Sequence, residues 1–405
     1  MPLFAKKTQP KNALSTTRPF FFGRANSSAV VNERTALSQA AVLACVRVIS
    51  ESVASLPLHL YKFQGTGGVA ATAHPLYRLL HTAPNPDMTS FVFRETLTSH
   101  LLLFGNAYAQ IIRNGLGEVM ALYPLQPNKM DVWRHENGEI FYTYWREKDE
   151  TKAHEKQGGV TLPKREVLHI PGLSFDGLVG YSPIALAKNA IGLAISTEEF
   201  GAQFFSNSAN PCGIISHPDH ISDHATLREE WEKEFRGNRR NGVAILEDGM
   251  KFTPISIAPD QAQFLETRKF QLSEIARIFR VPPHMIGDLE RSTFSNIEHQ
   301  SIDFAKYTLG PWLTRIEQEL EKSLLSPAEQ AQYEIRFNIE GLLRGDYETR
   351  MRGYAIGRQN GWLSANDIRA LERQNPIPFD DGGDRYLVNG NMVDLKGRSD
   401  ADTQD

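Results

Sequence analysis

Apolar residues recur at three- and four-residue spacing over residues 37–54, LSQAAVLACVRVISESVA, placing Val42, Cys45, Val46, Ile49 and Val53 on one helical face. Ser38 is the candidate N-cap and Pro57 lies just past the end. The stretch HPLYRLLHTAPNPDMTSFVFRETLTSHLLLFGNAYAQII predicts a short helix, a proline-rich turn and a second helix from about Thr89. Gly105 stops that helix and a strand follows. Residues 106–170 are then strand-dominated. NAYAQIIRNGLGEVMALYPL turns at Asn114 to Gly117, and DVWRHENGEIFYTYW turns at Asn137-Gly138, two residues that tolerate positive φ. VLHIPG closes the region, and these pieces make a mixed α+β lobe.

The pattern changes at SPIALAKNAIGLAISTEEFGAQFFSN, which predicts one helix from Ser182 to Asn207 with Pro183 in its first turn. At 1.5 Å per residue it is roughly 35 Å long. Its apolar residues spread around much of the circumference, which predicts neighbours on several sides. A small lobe follows over 210–258: the strand CGIISH, the charged helix DHATLREEWEKEFRG, and the hairpin VAILEDGMKFTPIS turned at Asp248-Gly249. DQAQFLETRKFQLSEIARIFRV is a second long helix, with Phe264, Leu265, Leu272, Ile275, Ile278 and Phe279 as its apolar set. The loop VPPHMIGDLERSTFSNIEHQ precedes a third helix from about Ile297 to Leu325, the strand YEIRFNIE, a helical unit from Asp346 to Arg373 and a polar tail. The small lobe is thus an excursion carried on two helical struts.

The 405-residue length predicts two or more lobes. An apolar content of 41% and a charged content of 23% are those of an ordinary globular protein. The formal net charge of −4 argues against coating a nucleic acid by bulk attraction. Two cysteines, Cys45 and Cys212, exclude a disulfide scaffold and predict a reducing compartment. Residues 1–37 form a polar arm with an aromatic triplet, Phe20, Phe21 and Phe22, as a docking point, and no cleavable leader pattern. No uncharged apolar run approaches the roughly 20 residues of a membrane span.

Three constellations carry candidate chemistry. HPDHISDH holds His217, His220 and His224 with Asp219 and Asp223, but the spacing is loose for a metal site and Asp223 suits an N-cap. FRGNRRNG sets Arg236, Arg239 and Arg240 among glycines; it lacks the Lys-Ser/Thr of a phosphate loop and reads as an exposed turn or as a contact for a polyanion or an acidic partner surface. LREEWEKEF places Trp231 and Phe235 four residues apart, as local core or as interface anchors. No nucleophile elbow, His-Glu-x-x-His or dinucleotide fingerprint occurs, and DDGGD at 380–384 is an acidic turn. Nothing in the sequence predicts catalysis, a cofactor or a metal.

Several segments together resemble the portal (head-to-tail connector) family of tailed bacteriophages, in the compact form common among long-tailed phages. They are SVASLPLHLY; HPLYRLLHTAPNP running into MTSFVFRETLTSHLLLFGNAYAQIIR; LYPLQPNKM; VLHIPGLSFDGLVGYSPIALAKNAI; FFSNSANPCGII; and IARIFRVPPHMIG, spread over about Ser38 to Met392. The resemblance implies an α+β portal fold: an arm at 1–37, a mixed α/β wing at 38–181, a first stem helix at 182–209 and a small α/β clip at 210–258. It further implies a second stem helix at 259–280, a tunnel loop, long helix and return to the wing at 281–345, and a short helical crown with tail at 346–405.

The implied function is a non-enzymatic ring, usually of twelve subunits, at one capsid vertex of the virion, assembled in the host cytoplasm. Double-stranded DNA passes through it without sequence preference during packaging and ejection. The large terminase subunit, head-completion or adaptor proteins and the major capsid protein are the implied partners. Arg291, Ser292, Thr293, Phe294 and Asn296 then face the channel, where small polar residues with one arginine touch passing DNA without holding it. Trp231, Phe235, Arg236, Arg239 and Arg240 become the clip residues for docking or subunit contact. The rival readings are a metal-dependent hydrolase using His217, His220 and His224, and a smaller head-tail adaptor ring.

Overall fold

The computed structural model describes residues 30–65, 67–135, 137–145, 158–206, 213–216, 225–226, 229, 249–254, 261–289, 300–339, 347–372 and 374–387. The chain divides into two compact units, 1–337 and 338–405. In the first unit the opening helical stretch is two helices, α1 (Glu33–Ser38) and α2 (Ala40–Ser55), parted at Gln39, whose backbone is extended. Asn32 and Thr35 cap α1 reciprocally. Ser38 is therefore not the N-cap of α2: it ends α1, its hydroxyl donating to the Thr35 carbonyl at 2.7 Å. Gln39 takes the cap position, and its amide reaches Glu198 at 2.7 Å. The expected face is buried at all five positions from Val42 to Val53.

After β1 (Leu58–Gln64), β2 (Gly67–Ala70) and α3 (Pro75–His81), the helix α4 (Ser90–Phe104) packs on α2. It is bounded as expected: the Thr89 hydroxyl accepts from the Val92 amide, and Gly105 at φ 74° stops it. Arg94, buried within α4, donates to the carbonyls of Ala54 (2.7 Å) and Leu80 (3.2 Å). Those carbonyls lie in the last turns of α2 and α3, where no helical partner remains, so one guanidinium closes two helix ends. Burial lowers its pKa to about 10.

The strand-rich region forms two antiparallel three-stranded sheets. One orders β4 (Val119–Leu125), β3 (Asn106–Arg113) and β8 (Val167–Pro171); the other orders β5 (Met130–Arg134), β6 (Ile140–Trp145) and β7 (Gly159–Pro163). Tyr108, Met130, Val132, Tyr142 and Leu162 close the core between them. The β5–β6 connection turns at Gly138, φ 88°, and the Asn137 side chain accepts from the Glu139 amide at 3.0 Å.

The excursion is built as two struts. α5 (Pro183–Leu186) and α6 (Lys188–Ser206) replace the single helix expected from Ser182; Ala187, at φ −94° and ψ 10°, separates them. α7 (Gln261–Phe279) returns against α6, with the Gln271 amide donating to the Thr197 hydroxyl at 2.8 Å. Of its expected apolar set Ile275 and Phe279 are buried while Ile278 is 37% exposed. Between the struts β9 (Gly213–Ser216) pairs antiparallel with β10 (Lys251–Pro254), and Gly249 at φ 77° marks the expected turn. The strand expected just before that turn lies outside the described residues.

The chain returns through a π-helical turn, Phe304–Leu309, into α8 (Gly310–Leu324), then α9 (Pro327–Gln330) and β11 (Tyr333–Phe337). Pro311 has no amide to give Tyr307, and its ring would crowd that carbonyl in an α-turn; the wider turn, closed from the Gly310 amide to Ala305, relieves both. β11 joins β1 across the sequence, Leu60 opposite Ile335. Among the described residues its outer edge meets no strand. Instead the Glu317 and Glu321 carboxylates, one helical turn apart on α8, accept the Phe337 amide (2.8 Å) and the Ile335 amide (2.9 Å). A two-residue strand step and a four-residue helix step are both about 6 Å, so the two ladders match. In the second unit α10 (Tyr347–Gln359) and α11 (Ala365–Leu371) are joined by the Arg350–Glu372 ion pair at 2.8 Å and by the Tyr354 hydroxyl donating to Glu372 at 2.9 Å.

Candidate functional site

The place where the chain leaves the sheets for the struts is held by three glycines and one asparagine. The Gly172 amide donates to the Gly105 carbonyl at 2.7 Å. Asn106 grips Gly180 at both backbone groups, its Oδ1 accepting from the amide (2.8 Å) and its Nδ2 donating to the carbonyl (2.7 Å). The approach leaves no room for side chains: a Cβ on Gly180 would stand 2.0 Å from the Gly105 oxygen, and one on Gly105 2.0 Å from the Tyr181 oxygen. Ser182 then donates to the Leu103 carbonyl at 2.6 Å while capping α5 through the Ala185 amide.

His169 supports this crossing from below. Its Nε2 lies 3.1 Å from Asn106 Oδ1, and because that oxygen only accepts, the proton sits on Nε2. Nδ1 then accepts from the Tyr142 hydroxyl at 3.3 Å, and Tyr108 stacks on the ring at 4.4 Å. Burial holds the imidazole neutral, with its pKa pushed down to about 3; the nearby Lys322 adds to the effect. The network locks Asn106 in one orientation.

On the other side of the crossing is a cleft of about 600 Å³, walled by Leu101, Tyr181, Leu186, Ile278, Tyr307 and Trp312. Arg315 spans its base, donating to the Pro171 and Gly172 carbonyls at 2.7 and 3.0 Å. Large apolar side chains on the struts stay exposed, Leu193 at 50% and Phe270 at 59%.

α7 ends in a Schellman-type cap. The Val281 amide donates to Ala276 (2.9 Å) and the Arg280 amide to Arg277 (3.1 Å), which requires the left-handed region at Arg280, φ 57°. A non-glycine residue there carries roughly 1 kcal/mol of strain. Thr308 in the π-turn donates its hydroxyl to the Arg280 carbonyl and pins the cap. Pro283–Ile286 follows as a 3-10 turn, Gly287 reverses the chain at φ 93°, and Leu289 is exposed. His284 Nδ1 meets Gln300 Oε1 at 2.7 Å. The two ends of the segment 290–299 are therefore tied together beside the struts.

Arg291, Ser292, Thr293, Phe294 and Asn296 lie inside that segment and outside the described residues, as do Trp231, Phe235, Arg236, Arg239 and Arg240, and His217, His220 and His224. The structure places the loop's anchors and the strand pair of the small lobe, and none of these side chains. Asn106, His169, Gly180 and Arg280 were not singled out in the sequence. The signal for the first three was the glycine run IPGLSFDGLVG beside a helix-ending Gly105-Asn106 step, which composition alone does not distinguish from ordinary loops.

The arrangement has relatives. The sequence profile described as Phage portal protein matches residues 40–372. The chain belongs to the phage portal protein family. It is 34% identical to the portal protein of Enterobacteria phage HK97 over 372 residues, 90% of this chain and 85% of that one. It is 35% identical to the probable portal protein of Streptomyces phage phiC31, over 92% of this chain and 82% of that one. Its fold is similar to a chain in the neck of an empty gene transfer agent particle, with a TM-score of 0.60 at 23% identity over 89% of this chain and 97% of the other. It is also similar to an HK97-family phage portal protein from Corynebacterium diphtheriae, with a TM-score of 0.57 at 18% identity over 78% and 98%. Portal family membership over most of the chain favours the connector reading above the hydrolase and the smaller adaptor.

Proposed function

We propose that this portal-family chain forms a closed ring of about a dozen copies at one capsid vertex, the channel through which double-stranded DNA is packaged and later ejected. Its match to portal proteins over nine-tenths of its length carries the reading. The exposed apolar residues of the struts support it, because faces of this kind are rarely left uncovered on a monomer. Heterologous head-to-tail contacts that close on themselves cover them and make a ring. In this reading the α/β body is the wing, α6 and α7 the stem, residues 210–258 the clip and residues 346–405 the crown. The large terminase subunit and then the head-completion proteins dock on the clip, with Trp231, Phe235, Arg236, Arg239 and Arg240 in the contact; the ring itself is structural and forms in the host cytoplasm before joining the major capsid protein.

The segment holding Arg291 to Asn296 is the tunnel loop. What supports this is the pairing of the residues that flank it, Gly287 reversing the chain before the segment and His284 meeting Gln300 beyond it, together with a composition of small polar residues around one arginine and one phenylalanine. One arginine per copy spreads a weak phosphate contact evenly around a ring, resisting slippage without binding tightly. Replacing residues 291–296 by a Gly-Ser linker is expected to keep the ring and lower DNA packaging or retention; a linker variant that packages and retains a full genome like the parent refutes the loop assignment. Charge reversal at Arg239 and Arg240 is expected to leave the wing folded and impair terminase docking or ring closure.

A further inference from the structure

The channel reading leaves one sequence feature without a place: the aromatic triplet Phe20, Phe21 and Phe22 in the arm that precedes the described residues. Residues 1–29 carry five Lys or Arg and no Asp or Glu, and the triplet is their only run of consecutive aromatics. The root of the arm is fixed. The Thr35 hydroxyl donates to the Val30 carbonyl at 2.8 Å, and just past α1 the Gln39 amide donates to Glu198 on α6. The first turn of that same helix walls the apolar cleft of about 600 Å³, through Asn189 and Ala190, with Leu186 and Ala187 before them. Glu198 lies eight residues beyond Ala190, about 12 Å along the helix. The eight residues from Phe22 to Val30 span up to about 27 Å when extended. Around the cleft, large apolar side chains reach solvent: Leu173 is 63% exposed and Tyr307 56%. Phe175 leans on Tyr181 at 5.0 Å and extends the aromatic rim. The charged groups of the lining, Glu274 against Arg280 and Arg315, nearly balance, and Arg315 is engaged with the Pro171 and Gly172 carbonyls. Charge therefore does not choose the occupant; the apolar walls do.

We infer that the chain's own N-terminal arm covers this cleft, with Phe20 and Phe22 inserted among Leu186, Ile278, Tyr307 and Trp312. In an extended segment alternate side chains share one face about 7 Å apart, so these two rings enter together while Phe21 faces outward. Pro19 keeps Arg18 extended, and Gly23 lets the chain turn back towards Val30. Arg18 and Arg24 flank the triplet and stay in solvent. Covering aromatic rings that water would otherwise surround drives the docking. The tether makes the contact intramolecular, so a modest apolar interface suffices. The strut of a neighbouring copy is a cylinder about 10 Å across, which lies over such a mouth without filling it. The docking does not depend on ring formation.

The test is photo-crosslinking on the full chain with p-benzoylphenylalanine in place of Phe22, mixed one to one with isotopically heavy parent chain and read by peptide mass spectrometry. Cross-links are expected to join position 22 to cleft peptides containing Leu186, Ile278 or Trp312, all of them from the light chain. The same photoreactive residue in place of Thr8 is expected to give those products at least tenfold more weakly. Leu186→Glu, which alters an exposed wall residue, is expected to keep the parental Tm and lower the yield at least fivefold. Phe20→Ser, which leaves the cleft untouched, is expected to lower it at least threefold. Cross-links that miss the cleft, no cross-links, equal yields from positions 8 and 22, or a yield unchanged by Phe20→Ser overturn the inference. Heavy cleft peptides joined to position 22 overturn it in favour of arm exchange between copies.

Discussion

Replacing Gly180 by alanine adds one methyl group at the point where the strand-rich body hands the chain to the struts. The added Cβ meets the Gly105 oxygen at 2.0 Å and the Gly172 nitrogen at 2.5 Å, both backbone atoms that no rotamer change can move. Contact distances for a real Cβ begin about 1 Å further out, so the two crossing segments separate by roughly that much. Three hydrogen bonds span the gap: Asn106 to the Gly180 amide, Asn106 to the Gly180 carbonyl, and Gly172 to Gly105, all between 2.7 and 2.8 Å. Lengthening each by an ångström ends it, at about 1 kcal/mol apiece net. Overpacking adds about 1–3 kcal/mol, giving a loss of about 4–6 kcal/mol from a typical total of about 5–15 kcal/mol. Urea unfolding followed by tryptophan fluorescence reads this out, with Gly115→Ala as the reference because a Cβ there meets nothing within 4 Å. If Gly180→Ala lies within about 0.5 kcal/mol of Gly115→Ala, the crossing is not the tight junction described here.

Three further outcomes follow from the same geometry. Glu317→Leu leaves the Phe337 amide and Arg336 without their buried acceptor and is expected to cost about 2–4 kcal/mol, whereas Glu317→Gln, which keeps an accepting oxygen, costs less; equal unfolding midpoints for the two variants would contradict the edge-capping role. Arg280→Gly removes the left-handed strain at the end of α7 and is expected to raise stability by up to about 1 kcal/mol in the same assay; a large loss would show that the side chain, not the cap, decides the site. His169 and His100, the latter on α4, have folded pKa values pushed by burial to about 3 and about 4, below the ordinary value of 6.5, so only the unfolded chain takes up their protons just below pH 6.5. Stability therefore falls with pH from about 6.5 towards 4, by up to about 1.4 kcal/mol per pH unit for each histidine, and His100→Gln is expected to reduce that slope by one proton; an unchanged slope would refute the assignment.

Local rules made much of the fold legible. The spacing of Val42 to Val53, the Thr89 cap and the Gly105 stop each depend on residues within a turn of one another, and all three stand in the structure. What escaped depends on distant partners. Gln39 interrupts α1 and α2 and reaches Glu198, 159 positions away. The Glu317 and Glu321 pair looks like an ordinary solvated helix face until β11 comes to lie beside it. Asn106 reads as the first residue after a helix stop, and its grip on Gly180 spans 74 positions. The expected channel loop shows the opposite case: the proline pair and Gly287 marked its near end from sequence alone, while the His284–Gln300 tether across its mouth needed the fold.

The central claim is the ring, and the mass of the native particle tests it most directly. Native mass spectrometry of the purified full chain at micromolar concentration, with negative-stain images of the same sample, is expected to give a closed annulus of about twelve times the 45.5 kDa subunit mass. A stable 45.5 kDa monomer with no annular particles would contradict the account.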